Sequence, residues 1–212
     1  MFGTHDLMLF VLSGLLLNVT PGPDTLYIVG RSTAQGFRAG ATAALGIGAG
    51  IVVHITAAAL GLSALLALSS AAFTVVKLIG AVYLVYVGLT LIRSTGAGSD
   101  RAGVAALAHA PLSTIFVQGF LTNVLNPKVA LFFLAFLPQF VEPDAPSKPL
   151  AFLFLGAIFN LNGTLWNLIV AASAARIAGG IRRHAAFTRW FNRAVGCVFV
   201  YLGIRLALAK DG

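Results

Sequence analysis

Long apolar stretches and short polar breaks alternate along the whole chain. Each stretch reaches the roughly 20 residues that a helix needs to cross a bilayer. The pattern predicts six spans, at about Leu7–Val29, Ala39–Leu62, Ala71–Ile92, Leu112–Leu137, Leu150–Ala175 and Trp190–Ala209. The predicted fold class is an all-α integral membrane protein with six transmembrane helices, forming a single membrane domain over residues 1–212. No break is long enough for a folded soluble domain. The segment Arg93–Pro111, with Gly96, Gly98 and Gly103, reads as a flexible connection between two halves. The first stretch lacks a basic region before it and a small-residue cleavage site after it, so it reads as a retained span rather than a signal peptide.

Composition agrees. The chain is 58% hydrophobic and 9% charged, against about 25% charged residues in a soluble domain, so lipid is the solvent that fits. The net charge of +8 does not imply a nucleic-acid partner, because the basic residues gather between spans. Arg31 and Arg38 follow span one, Arg93 and Arg101 follow span three, and Arg176, Arg182, Arg183 and Arg189 follow span five. The positive-inside bias then makes the odd-numbered loops cytoplasmic and puts both termini on the periplasmic side. Tyr27 and Trp190 fit interfacial aromatic positions. Cys197 stands alone in an apolar run and reads as a small buried hydrophobe, with no thiol-pair chemistry and no thiolate metal site.

The halves resemble each other. Asn18-Val19-Thr20-Pro21-Gly22-Pro23 in span one matches Asn123-Val124-Leu125-Asn126-Pro127-Lys128 in span four. Lys77-x-x-Gly80 before Tyr86-Val87-Gly88-Leu89 matches Arg193-x-x-Gly196 before Tyr201-Leu202-Gly203-Ile204. The repeats cover about 1–95 and 110–212. Three spans per repeat is an odd number, so the second repeat enters from the opposite side and the 3+3 repeats are inverted. That architecture belongs to secondary transporters with a site near the midplane on broken helices.

The polar residues inside the spans are the candidate chemistry. Pro21 and Pro23 flank Gly22 directly before Asp24, and the prolines remove two backbone donors, so the first helix breaks there. The freed carbonyls must face protein or water. Asn126-Pro127-Lys128 repeats the theme with opposite charge. Asp24 and Lys128 are the acid and base deepest in the predicted membrane, and a pseudo-two-fold axis brings them together; the plain alternative leaves Asp24 hydrated at the interface. His54 follows Gly46, Gly48 and Gly50, whose bare helix face permits close packing, and it is either a titrating site or a satisfied core histidine. Span five carries Asn160, Asn162, Gly163, Thr164, Trp166 and Asn167, which reads as a cavity wall or as interhelical hydrogen bonding. Thr20, Gln118 and Asn123 add polar groups to the two broken spans.

Taken together, Thr20-Pro21-Gly22-Pro23-Asp24, Gly46-x-x-x-Gly50-x-x-x-His54 with Gly61-Leu62, and Leu125-Asn126-Pro127-Lys128 resemble the motifs of the lysine-exporter (LysE) superfamily, and most closely its homoserine/threonine exporter (RhtB-type) branch. The resemblance spans essentially the whole chain. It implies a bacterial inner-membrane carrier that exports amino acids or small derivatives, driven by protons. The expected substrate and coupling residues are Asn18, Thr20, Pro21, Gly22, Pro23, Asp24, His54, Asn123, Asn126, Pro127, Lys128, Asn160, Asn162 and Asn167. No cofactor or metal is expected; the partners are a small amino-acid substrate, protons, the lipid bilayer and a possible homodimer partner. Asp24 is the first candidate for the coupling proton and His54 the second. The competing classes are an exporter of another solute or cation, a channel or scaffold, and an intramembrane enzyme. An aspartyl enzyme wants two facing acids, a serine enzyme a nucleophile elbow, and an ATP-driven pump a phosphate-binding loop; the sequence offers none of these.

Overall fold

A computed structural model describes residues 2–62 and 109–177 continuously, and single positions between 75 and 93 and between 193 and 207, all of the latter helical. The expectations for the Arg93–Pro111 connection, for most of spans three and six and for the arginines from 182 to 189 lie outside the described residues.

The first apolar stretch is broken where its prolines require it. Helix α1 (Leu7–Val19) ends at Thr20, whose backbone is extended and whose N–H and hydroxyl both donate to Leu16 O. Helix α2 (Pro23–Ala57) begins one residue after Gly22, with Pro23 in the first turn, where the missing donor costs nothing. At 13 residues, α1 rises only about 20 Å, too little to span alone. With the start of α2 it makes one broken crossing.

Helix α2 then turns at one residue. Gly36 has φ 79° and ψ −177°, a conformation essentially reserved for glycine. On a straight helix residues eight apart lie about 12 Å apart, yet a Cβ on Gly40 would strike the Ser32 side chain. The chain therefore doubles back at Gly36. The predicted loop between spans one and two shrinks to that residue, and helix persists through Arg31 and Arg38. A π-helical turn, Ala58–Leu62, continues the second arm.

Helix α3 (Leu112–Val124) and helix α4 (Pro127–Leu131) form the second broken span, extended by π-helical Phe132–Phe136 and a 3-10 turn, Leu137–Phe140. The pair bends by 48°. Helix α5 (Lys148–Ile177) is long and unbroken. By length and apolarity Lys148–Arg176 and a stretch of Pro23–Gly61 each suffice to cross a membrane, and the bent pair counts as one further span. This is a multi-pass membrane protein.

Glycines set the spacing. Gly46 and Gly50 press one face of α2 against the α3 backbone at Phe116 and Phe120; a Cβ on Gly50 would lie 2.8 Å from Phe120 O and one on Gly119 2.6 Å from Ala43 O. Gly48 faces the other way, onto Thr164 and Asn160 of α5. The glycines that seemed to share one face thus serve two neighbours, both within this chain. Phenylalanines fill the remainder: Phe10, Phe132, Phe136, Phe140 and Phe159 are buried and in ring contact.

Two end contacts fix how the crossings are arranged. His5 N–H donates to Phe140 O, Glu142 N–H donates to Gly3 O, and Thr4 bridges Val141. At the far end Gln35 exchanges hydrogen bonds with the backbone of Ala110. Residues 4 and 141 therefore share one end, and 35 and 110 share the other. Cys197 is exposed rather than buried; in a membrane protein an apolar run can face lipid, so apolarity alone does not bury a side chain within the chain.

Candidate functional site

The two breaks meet. Asn123 in the last turn of α3 donates its side-chain amide to Asp24 Oδ2 at 2.8 Å. In return the Lys128 ammonium donates to the Thr20 carbonyl at 2.8 Å. Each break supplies the partner for the charge or carbonyl freed by the other. Asn126 caps α4, its Oδ1 accepting from Lys128 N–H at 3.0 Å, and its side chain also bears on Asp24. That cap explains why the helix restarts where it does.

Asp24 sits in the first turn of α2, whose start at Gly22 has no side-chain cap. A carboxylate there is favoured by the helix dipole. Lys128 and His54 are the cationic or titratable groups within electrostatic reach of it. Asp24 and Lys128 do not form an ion pair; among the described residues the ion pair within 4.0 Å is the exposed His5–Asp6.

A cavity of about 20 Å³ lies between the breaks, lined by Asn18, Gly22, Asp24, Thr25, Asn123, Asn126, Lys128 and Asn167, with Leu17, Ile47, Ile51, Val129 and Phe159 as its apolar wall. That volume fits one water molecule and is far too small for an amino acid. Three of its polar atoms, Asn18 Nδ2, Asp24 Oδ1 and Asn123 Oδ1, are buried without a hydrogen-bond partner. Buried polar atoms are costly to leave unpaired, so their convergence from three helices marks a place built to receive polar groups.

The site thus gathers seven of the expected residues: Asn18, Gly22, Asp24, Asn123, Asn126, Lys128 and Asn167. Thr20 is buried beside them and contributes its carbonyl. Pro21 and Pro23 are exposed and act by breaking the helix; Pro127 does the same for the second break from the first turn of α4. Asn160 accepts from Thr164 one turn along the same helix and packs against Gly48 of α2. Asn162 lies about 200° around α5 from Asn160 and does not reach the cavity. His54 is separated from the cavity by Asn123, whose backbone carbonyl lies 3.1 Å from Nε2. A carbonyl only accepts, so that nitrogen carries the proton. His54 stacks on Phe133 and lines a second, apolar cavity of about 380 Å³ with Ala57, Ala58, Gly61, Ala130, Leu131 and Leu134.

Thr25, Phe159 and the aliphatic wall were not singled out by sequence reasoning; Thr25 alone carried a signal, one position beyond the motif. A second polar cluster was also missed. Arg31 is 4% exposed and donates to Gln118 Oε1 at 2.7 Å, to Gln35 Oε1 at 3.0 Å and to the Tyr27 hydroxyl at 3.3 Å. Tyr27 in turn donates toward Ile115 O and Gln118. Arg31 is therefore a buried charge on helix α2 rather than a loop charge, and Tyr27 is its partner. They clamp α2 to α3 at the end where Gln35 meets Ala110.

The chain is similar over 209 residues, at 31% identity, to an uncharacterized membrane protein of Pseudomonas aeruginosa, covering 98% of this chain and 97% of the relative. A leucine efflux protein of Salmonella choleraesuis is 25% identical over 99% of this chain and 98% of its own. An uncharacterized membrane protein of Bacillus subtilis is 28% identical over 97% and 100%. No solved structure matches. The LysE type translocator family matches residues 15–210, and over that length, with two broken helices meeting at their polar motifs, the chain belongs to the LysE type translocators.

Proposed function

We propose that this protein is a secondary-active exporter of amino acids or small amino-acid derivatives across the bacterial inner membrane, coupled to protons, with six helices in two inverted repeats and both termini periplasmic. The reciprocal crossing of the breaks carries the reading: an acid, a base and three unpartnered polar atoms converge on one small buried cavity. A zwitterion has the matching pair of poles. Asp24 already occupies the first turn of α2, so the ammonium belongs beside Asp24 Oδ1 and Asn123 Oδ1. The carboxylate belongs with Lys128 and the Asn18 amide.

The two broken helices that meet at their polar motifs support a carrier rather than a channel, since secondary carriers build their sites on such discontinuous helices. The similarity to leucine efflux proteins supports an amino-acid substrate. Asp24 is the first candidate for the proton site and His54 the second. Cells overexpressing the protein are expected to release particular amino acids into the medium. Proteoliposomes loaded with the unlabelled form of such an amino acid are expected to accumulate the labelled form by counterflow. Export profiles identical to those of empty-vector cells, with no counterflow, would remove the proposal.

A further inference from the structure

We infer that Lys128 is a tethered stand-in for the substrate ammonium: its Nζ fills the cation position at the Thr20 carbonyl, and the amino acid takes that position from it. The inference rests on the amino-acid reading above and assigns a subsite within it.

Thr20 ends α1, so its carbonyl lies at the negative end of a half-helix and has no intrahelical partner. Lys128 reaches it from the other break, and its Nζ also lies 3.5 Å from where a Cβ on Gly22 would stand. The ammonium thus rests on a neutral carbonyl, while the Asp24 carboxylate lining the same cavity is left to an amide. A buried ammonium held by a neutral acceptor is easier to displace than one in a hydrogen-bonded ion pair.

A zwitterion makes the exchange balanced. Its ammonium replaces Nζ at Thr20 O, with Asp24 Oδ1 and Asn123 Oδ1 within the same cavity as further acceptors. Its carboxylate receives the displaced Lys128. An amine without a carboxylate would leave Lys128 buried and unpaired, and an acid without an ammonium would never dislodge it. Selection for both poles therefore follows from one residue. Withdrawal of the Lys128 side chain also opens room in a cavity of only about 20 Å³.

The test is ligand-dependent thermal unfolding of the purified protein in detergent, comparing wild type with Lys128→Ala. Methylammonium fits the vacated position, whereas tetramethylammonium at equal ionic strength has no N–H to donate. Methylammonium is expected to raise the unfolding temperature of Lys128→Ala saturably, by about 3 °C or more. Tetramethylammonium should not, and wild type should respond to neither. No stabilisation of the variant by methylammonium, or an equal shift in wild type, overturns the inference. If Lys128→Ala does not fold, Lys128→Met retains most of the stem packing and is judged by the same comparison. The readout is amine binding, so it separates from export: a positive shift in a protein that exports no amino acid would retain the subsite and remove the exporter.

Discussion

Asn123 and Asp24 lie 99 positions apart in sequence and 2.8 Å apart in space, the amide of one donating to the carboxylate of the other. The contact joins the end of α3 to the start of α2. Asn123 is fully buried, and its amide gives Asp24 a hydrogen-bond donor from the neighbouring helix.

Removing that donor should cost about 1.5–3 kcal/mol, the range for a hydrogen bond to a charged group. Asn123→Ala is expected to lower the unfolding temperature and to reduce counterflow. A double-mutant cycle with Asp24→Asn isolates the contact. A coupling energy of about 0.5–3 kcal/mol is expected, and a cycle that closes at zero would mean that each residue acts elsewhere.

Close helix approach gives a second expectation, with its own control. A side chain at Gly50 would meet Phe120 O and Asn123, whereas among the described residues nothing lies within 4 Å of the corresponding position at Gly61. Gly50→Val should destabilise by about 1–3 kcal/mol, the usual range for overpacking. Gly61→Ala should stay within about 0.5 kcal/mol of wild type. Unfolding in detergent checks both, and similar losses at the two sites would show that glycine is needed for flexibility rather than for space.

The breaks and their polar residues were legible in the sequence because their causes are local. Proline lacks a donor wherever it stands, and an asparagine or a charge in an apolar run must find a partner. The turn at Gly36 was not legible, because one residue of positive φ leaves no periodic trace; the polar run around it reads as a loop. For the same reason Arg31 looked like a loop charge, although the reversal places it against Gln118 and Tyr27. Asn162 is not among the residues that line the central cavity; density of amides along a span does not say which face each occupies. Most of the match between spans three and six falls outside the described residues, so the inverted repeat stays a proposal, supported by the two breaks.

The prolines offer a test of whether the first break does more than bend the helix. Replacing both Pro21 and Pro23 by alanine restores two backbone donors and permits α1 to run on into α2. The Thr20 carbonyl would then be drawn into helical hydrogen bonding and withdrawn from Lys128. The double variant is expected to insert normally, as judged by membrane fractionation, and to lose counterflow. Full transport in that protein would reduce the break to a packing kink.

Coupling to protons needs a group that changes charge as its access changes, and the structure separates the two candidates. Asp24 lines the central cavity between the breaks, while His54 lies behind Asn123 and faces an apolar cavity. Only Asp24 is placed where binding of a substrate ammonium and loss of a proton compete directly for one carboxylate. Asp24→Asn keeps the shape of the side chain and removes its charge. In proteoliposomes this variant is expected to lose accumulation driven by a pH gradient while retaining some exchange of labelled for unlabelled substrate, because exchange moves no net proton. His54→Ala is expected to retain gradient-driven accumulation, at a rate lowered by loss of the Phe133 stacking and the Asn123 contact. If the outcomes are reversed, the proton site is His54. If both variants still accumulate substrate under a pH gradient, neither residue carries the proton, and the Asp24 carboxylate serves the substrate alone.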